Sequence, residues 1–319
     1  MIMMNNRKAF TIVELLIVVT IIALLLGILL PSITMVRTKA KETAQKAQFA
    51  TIDMALEAFK QDYGDYPPSD WQEDTNPPSG RVYCGAQKLS EALLGWDLMG
   101  FHPKTSWRID GYTGTVVPIG GADAYDPGRV RGIATLSERK GPYLEVAKTN
   151  VFQLSKLFNN TNLLAPNTFV LCDVFKVRKT IDKDSTGKLL TAGAPILYYR
   201  ANTSSKIFDP NIVVSNTSYR IYDYTDNDPL VQLGKLTANG SSGLMHPLGY
   251  SVSSDNPVFY NDTYKNAALL TGYGGTGTGY GIRNPKITQN VWPYRPDSYI
   301  LISAGPDGYY GTADDIHNY

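Results

Sequence analysis

The chain has 319 residues, 30 of them basic and 29 acidic, for a net charge of +1, with 43% hydrophobic residues, 28 glycines, 19 prolines, 21 tyrosines and two cysteines. A near-neutral balance argues against nucleic-acid binding, which normally shows a clustered basic face. The apolar content is that of a folded chain, and the wealth of Gly, Pro, Tyr, Asn and Asp predicts a loop-rich, β-containing surface.

The first element is Arg7-Lys8-Ala9-Phe10-Thr11-Ile12-Val13-Glu14, which leads straight into an apolar block ending at Leu30. Phe10 to Leu30 is 21 residues, long enough for a helix to cross a bilayer core of roughly 30 Å. Glu14 is the only charged residue in that block. A carboxylate at the centre of a membrane helix is unfavourable by roughly 2.5–3.5 kcal/mol on insertion scales, and by somewhat less near its end. A plain anchor has no reason to carry that cost, so Glu14 is expected to have a function and a partner. A secretory signal peptide does not fit. The apolar run is too long, and Pro31-Ser32-Ile33-Thr34 offers no small-x-small cleavage site.

The segment resembles the N-terminus of the type IV pilin and pseudopilin family. The resemblance implies that residues 1–9 are a cytoplasmic leader and that a prepilin peptidase cuts between Ala9 and Phe10. The same peptidase would N-methylate Phe10, and Glu14 becomes the fifth residue of the mature chain. The family usually has Gly before the cut; Ala9 is a different but still small residue. Without Arg7 and Lys8 the balance is 28 basic against 29 acidic residues, or −1. Cleavage creates a positive amine on Phe10 one helical turn from Glu14. The two can pair within one helix, since i and i+4 neighbours touch. They can equally pair between subunits, where the penalty for an unpaired buried charge fixes axial register; the family favours this version. The implied partners are the prepilin peptidase, further copies in a helical homopolymer, other pilin-like subunits, an inner-membrane assembly platform, and lipid before assembly. The implied location is a single pass through the bacterial inner membrane with the folded domain in the periplasm, then a periplasmic or extracellular filament.

The helix is expected to continue beyond the membrane. Residues 10–33 form the transmembrane and assembly segment, with Pro31 lacking an N–H and kinking the rod. Residues 34–63 form an amphipathic continuation, in which Phe49, Ile52, Leu56, Phe59 and Tyr63 recur at spacings of 3, 4, 3 and 4 as one apolar stripe. That stripe reads as core packing against a globular domain. Gly64 and Pro67-Pro68 stop the helix.

Residues 64–319 form the exported domain. Lys88–Met99 and Thr149–Phe158 read as short helices, and Thr168–Phe175, Pro195–Ala201, Ser218–Tyr224 and Ser298–Ala304 as strands. Residues from about 202 to 296 are rich in Asn, Gly and Pro and read as a large insertion. Cys84 and Cys172 can form one disulfide or stand as two thiols, and the sequence leaves both open. The expected class is α+β: a long N-terminal helix, membrane-spanning in its first half, packed on a small antiparallel sheet. That is also the pilin-like fold.

The last element is a strand followed by the loop 303–316, Ser303-Ala304-Gly305-Pro306-Asp307-Gly308-Tyr309-Tyr310-Gly311-Thr312-Ala313-Asp314-Asp315-Ile316. Three carboxylates among bend-permitting glycines suit Ca²⁺, which takes six to eight oxygens. A polar turn with solvated acids is the alternative. The loop resembles the C-terminal turn of the major pseudopilin of type II secretion systems. By that resemblance Asp307, Asp314 and Asp315 are calcium ligands.

Other motifs carry less. Gly272-Tyr273-Gly274-Gly275-Thr276-Gly277 fits a dinucleotide fingerprint by letter, but Gly279, Gly281 and Asn284-Pro285 forbid the helix that must follow. Asp182-Lys183-Asp184 begins like a calcium loop, yet Gly193 stands where the closing Glu belongs; a solvated hairpin tip is the better reading. His102, His246 and His317 have no metal spacing, and no residues support an enzyme. The expected function is a structural filament subunit of a type II secretion pseudopilus or type IV pilus-like fibre. The alternative is a filament-associated minor pilin that binds a surface through the 202–296 insertion, as an adhesin does.

Overall fold

A computed structural model of the chain describes residues 11–70, 72–74, 81–108, 111, 124–125, 135–158, 164–176, 178–183, 189–206, 220–227, 229–230, 282, 284, 286–287, 289, 292–306, 308, 310 and 314–319. Residues 28–32, 34, 72–74, 81, 178–183, 189, 224 and 225 are described by their backbone alone. The architecture is α+β, a long N-terminal helix followed by small antiparallel sheets. The chain divides into two compact units, Met1–Thr43 and Ala44–Tyr319.

Helix α1 is assigned over Ile12–Tyr63. Its first part presents an apolar surface on every side: from Ile12 to Leu26 each large apolar side chain is at least 45% exposed. Thr20 turns its hydroxyl back to the Leu16 carbonyl at 2.8 Å, so that it needs no other acceptor. Among the described residues no helix is long and apolar enough to cross a membrane. Of the expected 10–33 crossing, Phe10 and the side chains of 28–32 lie outside the described residues.

In the second unit α1 behaves as its pattern predicts. Phe49, Ile52, Leu56 and Phe59 are buried, with Leu89 and Leu93 of α2 (Gly85–Leu94) beside them. The central sheet consists of β7 (Leu197–Arg200), β8 (Tyr299–Ser303) and β9 (Ile316–His317), in the order β7-β8-β9 and antiparallel throughout. Its side chains alternate between two cores. Tyr198, Tyr299 and Leu301 join the cluster around α1, whereas Leu197, Tyr199, Ile300 and Ile302 join Val82, Leu154, Val170 and Tyr310. A sheet covered on both faces has no polar face to keep, which is why Tyr299-Ile300-Leu301-Ile302 reads as a continuous apolar run rather than an alternation.

Among the described residues there are also three two-stranded ribbons: β1 (Gln72–Asp74) with β2 (Arg81–Tyr83), β3 (Val151–Gln153) with β4 (Phe169–Leu171), and β5 (Arg178–Lys183) with β6 (Leu189–Ala192). The last brackets the tip expected over 182–187, of which Asp182 and Lys183 belong to β5 and 184–187 lie outside the described residues.

Several expectations need correction. Helix α2 starts three residues earlier than Lys88 and ends at Leu94, because the next residue, Gly95, adopts φ +90. A Cβ at Gly95 would stand 2.2 Å from the Gly100 carbonyl oxygen, a close approach open only to glycine. The helix expected over Thr149–Phe158 is instead β3 followed by the single turn α3 (Leu154–Leu157). Pairing with β4 overrides its mixed periodicity. Of the strand expected over Ser218–Tyr224, Arg220 is a single bridge residue, Ile221 and Tyr222 form a bend, and Tyr224–Asn227 forms a 3₁₀ turn. Its Asn227 donates from Nδ2 to the Tyr198 carbonyl at 2.7 Å and accepts from the Ala86 N–H at 2.8 Å, capping the start of α2. The pairing left open for Cys84 and Cys172 resolves to two thiols not joined in a disulfide, both fully buried in one core cluster. Burial pushes the Cys84 thiol up to about 12, so it stays protonated and unreactive.

Candidate functional site

Two regions carry the residues singled out from the sequence. At the N-terminus, Ala9 and Phe10 lie outside the described residues, and Glu14 lies in the first turn of α1. Its carboxylate accepts the Thr11 backbone N–H at 3.0 Å and the Thr11 hydroxyl at 2.8 Å. The Thr11 hydroxyl oxygen in turn accepts the Glu14 N–H at 3.3 Å. This is a capping box, Thr-x-x-Glu, in which two otherwise orphaned helix N–H groups are satisfied reciprocally. Its sequence signal, Thr11-Ile12-Val13-Glu14, is local, and a reading of Glu14 by charge alone passes over it. Glu14 therefore has a local role in the single chain as well as any role between chains. An exposed apolar shaft with one acid at its tip suits burial in lipid or among copies of itself, since water-facing apolar surface of this extent marks an interaction site.

At the C-terminus the predicted acidic loop is the connection of a hairpin. Ser303 of β8 pairs with Ile316 of β9, and Ile302 with His317, so residues 304–315 leave and return at one end of the sheet. Asp314 and Asp315 stand at the returning end, both half-buried. Asp307 lies outside the described residues. Gly305, at φ +64, packs against the returning chain: a Cβ there would lie 2.1 Å from the Asp314 carbonyl oxygen and 3.1 Å from its Oδ2. The two described arms therefore touch at Gly305 and Asp314, and the Asp314 carboxylate lies at that contact. Among the described residues no three His, Cys, Asp or Glu side chains are gathered in a metal-holding group.

Behind this loop lies a polar cluster that the sequence did not reveal. Asp173 is fully buried. Its Oδ2 accepts the Ser303 hydroxyl at 3.0 Å and its Oδ1 the Phe175 N–H at 3.0 Å. The Gly305 N–H donates to the Ser303 Oγ at 3.2 Å. On either side of Asp173 the backbone is held by α1: the Val174 N–H donates to Gln45 Oε1 at 3.0 Å, and Gln48 Nε2 donates to the Cys172 carbonyl at 3.0 Å. Gly193 is needed here as well, since a Cβ would come within 2.2 Å of the Asp173 Oδ1. The only sequence signal was an acid inside an apolar run, which must find partners when buried.

Asp53 makes a second link from α1 to the hairpin. It accepts the Tyr299 hydroxyl at 2.7 Å and Asn318 Nδ2 at 3.0 Å, and pairs with Arg295 at 3.4 Å. His317 stacks on Tyr319, and Tyr319 on Tyr294, with ring centres 4.9 and 4.5 Å apart. Burial pulls the His317 imidazole down to about 4, so it is neutral.

One family match extends these observations. The prokaryotic N-terminal methylation motif matches residues 4–30. This is the prepilin signal of type IV pilin-like proteins, which are cut by a prepilin peptidase, anchored in a membrane and assembled into filaments. No curated protein and no solved structure matches the chain.

Proposed function

We propose that this protein is a structural subunit, not an enzyme, of a type II secretion pseudopilus or a type IV pilus-like filament. The observation that carries the reading is the methylation motif over residues 4–30, with Glu14 placed in the first turn of an exposed apolar helix. The chain is cut between Ala9 and Phe10, its amine is methylated, and residues 10–33 hold it in the bacterial inner membrane with residues 64–319 in the periplasm. The assembly platform then passes it into a polymer of itself and other pilin-like subunits, where the Phe10 amine of one copy meets Glu14 of the next. Mass spectrometry of protein from its native host tests the first step. The expected N-terminus is methylated Phe10; an intact Met1, or a terminus beyond Leu30, overturns the reading.

The C-terminal hairpin supports a closer likeness, to the calcium-binding major pseudopilin. Asp314 and Asp315 supply hard oxygen donors at the returning arm of a loop in which Gly305 packs against Asp314, and oxygen donors are what Ca²⁺ takes. Asp307 is the third proposed side-chain ligand. Bound Ca²⁺ supplies the positive charge that lets neighbouring carboxylates share one end of the sheet. Binding to the folded state alone stabilises it by about 2.7 kcal/mol at a hundredfold excess over Kd, a rise of roughly 5–10 °C in Tm for a domain of this size. The detergent-solubilised chain is expected to melt higher in calcium than in chelator, and Asp314→Ala and Asp315→Ala to lose that difference. Superimposed wild-type curves would instead mean an ordinary solvated turn.

A further inference from the structure

Asn202-Thr203-Ser204 is an Asn-x-Ser/Thr triplet, the acceptor pattern for attaching a sugar to an asparagine amide. Four more such triplets begin at Asn159, Asn216, Asn239 and Asn261, all outside the described residues. Letters alone decide little, but at Asn202 the structure adds the setting. Ala201, just after β7, is 2% exposed. Asn202, Thr203 and Ser204 are all exposed, so the edge of the core falls between Ala201 and Asn202. The backbone there is fixed: the Asn202 N–H donates to the Ile221 carbonyl at 2.7 Å, and the Asn202 carbonyl accepts the Ser205 N–H at 3.0 Å. A sugar on the Asn202 side chain would therefore add its bulk on the solvent side of that edge.

The side chain is also set for the chemistry. Asn202 Oδ1 accepts the Ser204 N–H at 3.1 Å, an Asx turn that ties the acceptor amide to the third residue of its own triplet. An amide nitrogen is a poor nucleophile because its lone pair is spread onto the oxygen. When Nδ2 gives up a proton, negative charge gathers on Oδ1, and a hydrogen bond to the charged form favours it. The Ser204 N–H is thus placed to favour the reactive form of Asn202. We infer that Asn202 is a site of N-linked glycosylation, the acceptor for a sugar carried on a diphosphate. The inference goes beyond the filament reading and does not depend on it. In the transfer, Asn202 Nδ2 attacks the anomeric carbon of the sugar. The new carbon–nitrogen bond forms as the carbon–oxygen bond to the diphosphate breaks. The electron pair of the broken bond leaves with the diphosphate, and one Nδ2 proton passes to a base of the transferase.

Glycopeptide mass spectrometry of protein from its native host tests this. Cleavage after Arg200 and after Lys206 releases residues 201–206, which separates Asn202 from the other four triplets. This peptide is expected to be heavier by whole sugar residues, with the added mass on Asn202. Asn202→Gln and Ser204→Ala should each lose all of that mass, whereas Ser204→Thr should keep it. Ser204→Ala retains the backbone N–H of the turn, so its loss would belong to the missing hydroxyl. Unchanged melting of each variant separates that from a changed fold. Blocking lipid-linked sugar assembly in the host distinguishes two donors: loss of the sugar means a lipid diphosphate, persistence a nucleotide diphosphate, and both uphold the site. A wild-type peptide found only at its unmodified mass overturns the inference. So does a sugar that survives Asn202→Gln, which would sit on a hydroxyl of the turn instead. Neither result touches the N-terminal processing, which is read on the peptide that begins at Phe10.

Discussion

Glu14→Ala is expected to abolish filament assembly while leaving the chain inserted in the membrane. Two contributions change at once. The capping box with Thr11 is lost, at about 1 kcal/mol of helix stability, which is small for a helix of 52 residues. A charge within the apolar block also disappears, which favours insertion by up to roughly 2.5–3.5 kcal/mol. Neither effect opposes membrane residence. In the polymer, however, the Phe10 amine would stand without its carboxylate, and an uncompensated buried charge is destabilising by about 3–5 kcal/mol for each subunit contact. That is a factor of more than a hundred in each association step. Glu14→Gln separates the two roles, because glutamine serves a capping box as glutamate does but carries no charge. If the Glu14→Gln chain still fails to assemble, the defect belongs to the lost charge. Sheared-filament yield with immunoblotting of membranes is the measurement. Normal filaments from Glu14→Gln would leave the acid with a helix cap as its whole function.

The parts of this fold that were legible in the sequence are those whose signal is local and periodic. Phe49, Ile52, Leu56 and Phe59 announced a buried helix stripe and are buried. The strands near 197–200 and 299–303 were visible as β-branched and aromatic runs, and they pair with each other across about a hundred residues. What stayed hidden is set by distant partners. Asp173 meets Ser303 some 130 residues away, and a sequence holds no trace of that bond. Gly193 looked like a failed ligand position and is in fact a notch that admits Asp173. Strand β9 has only two residues, Ile316 and His317, too few for any period to show. Helix α2 carries Lys88 and Glu91, yet all ten of its residues are buried. Lys88 reaches the Asp70 carbonyl at 2.5 Å, and Glu91 has its own partners.

Those partners make Glu91 the source of the second large effect, a loss of stability as pH rises toward neutrality. Its carboxylate is buried and accepts the Tyr83 hydroxyl at 2.7 Å and the Thr105 hydroxyl at 2.5 Å. Burial pushes its pKa up to about 7, and the two hydroxyls and nearby Lys88 only partly oppose this. The sign follows from proton counts. Between about 4.5 and 7 the folded chain keeps a proton on Glu91 that the unfolded chain has released, so each rise in pH there favours unfolding. Below 4.5 both states hold the proton, and above 7 both have lost it. The full difference across the window is roughly 3 kcal/mol, since each pH unit within it contributes about 1.4 kcal/mol. Asp226, buried beside Ser69, is also raised by burial and adds a loss of the same sign that begins at lower pH. Glu91→Gln keeps a group that can bond both hydroxyls and removes the ionisation. Wild-type protein is therefore expected to melt lower at about pH 8 than at about pH 5. Glu91→Gln should recover roughly 5–10 °C of that difference at the higher pH and change the value at the lower pH little. Parallel pH profiles for the two proteins would mean that Glu91 ionises in the folded state as easily as in water, and that the hydroxyls and Lys88 fully offset its burial.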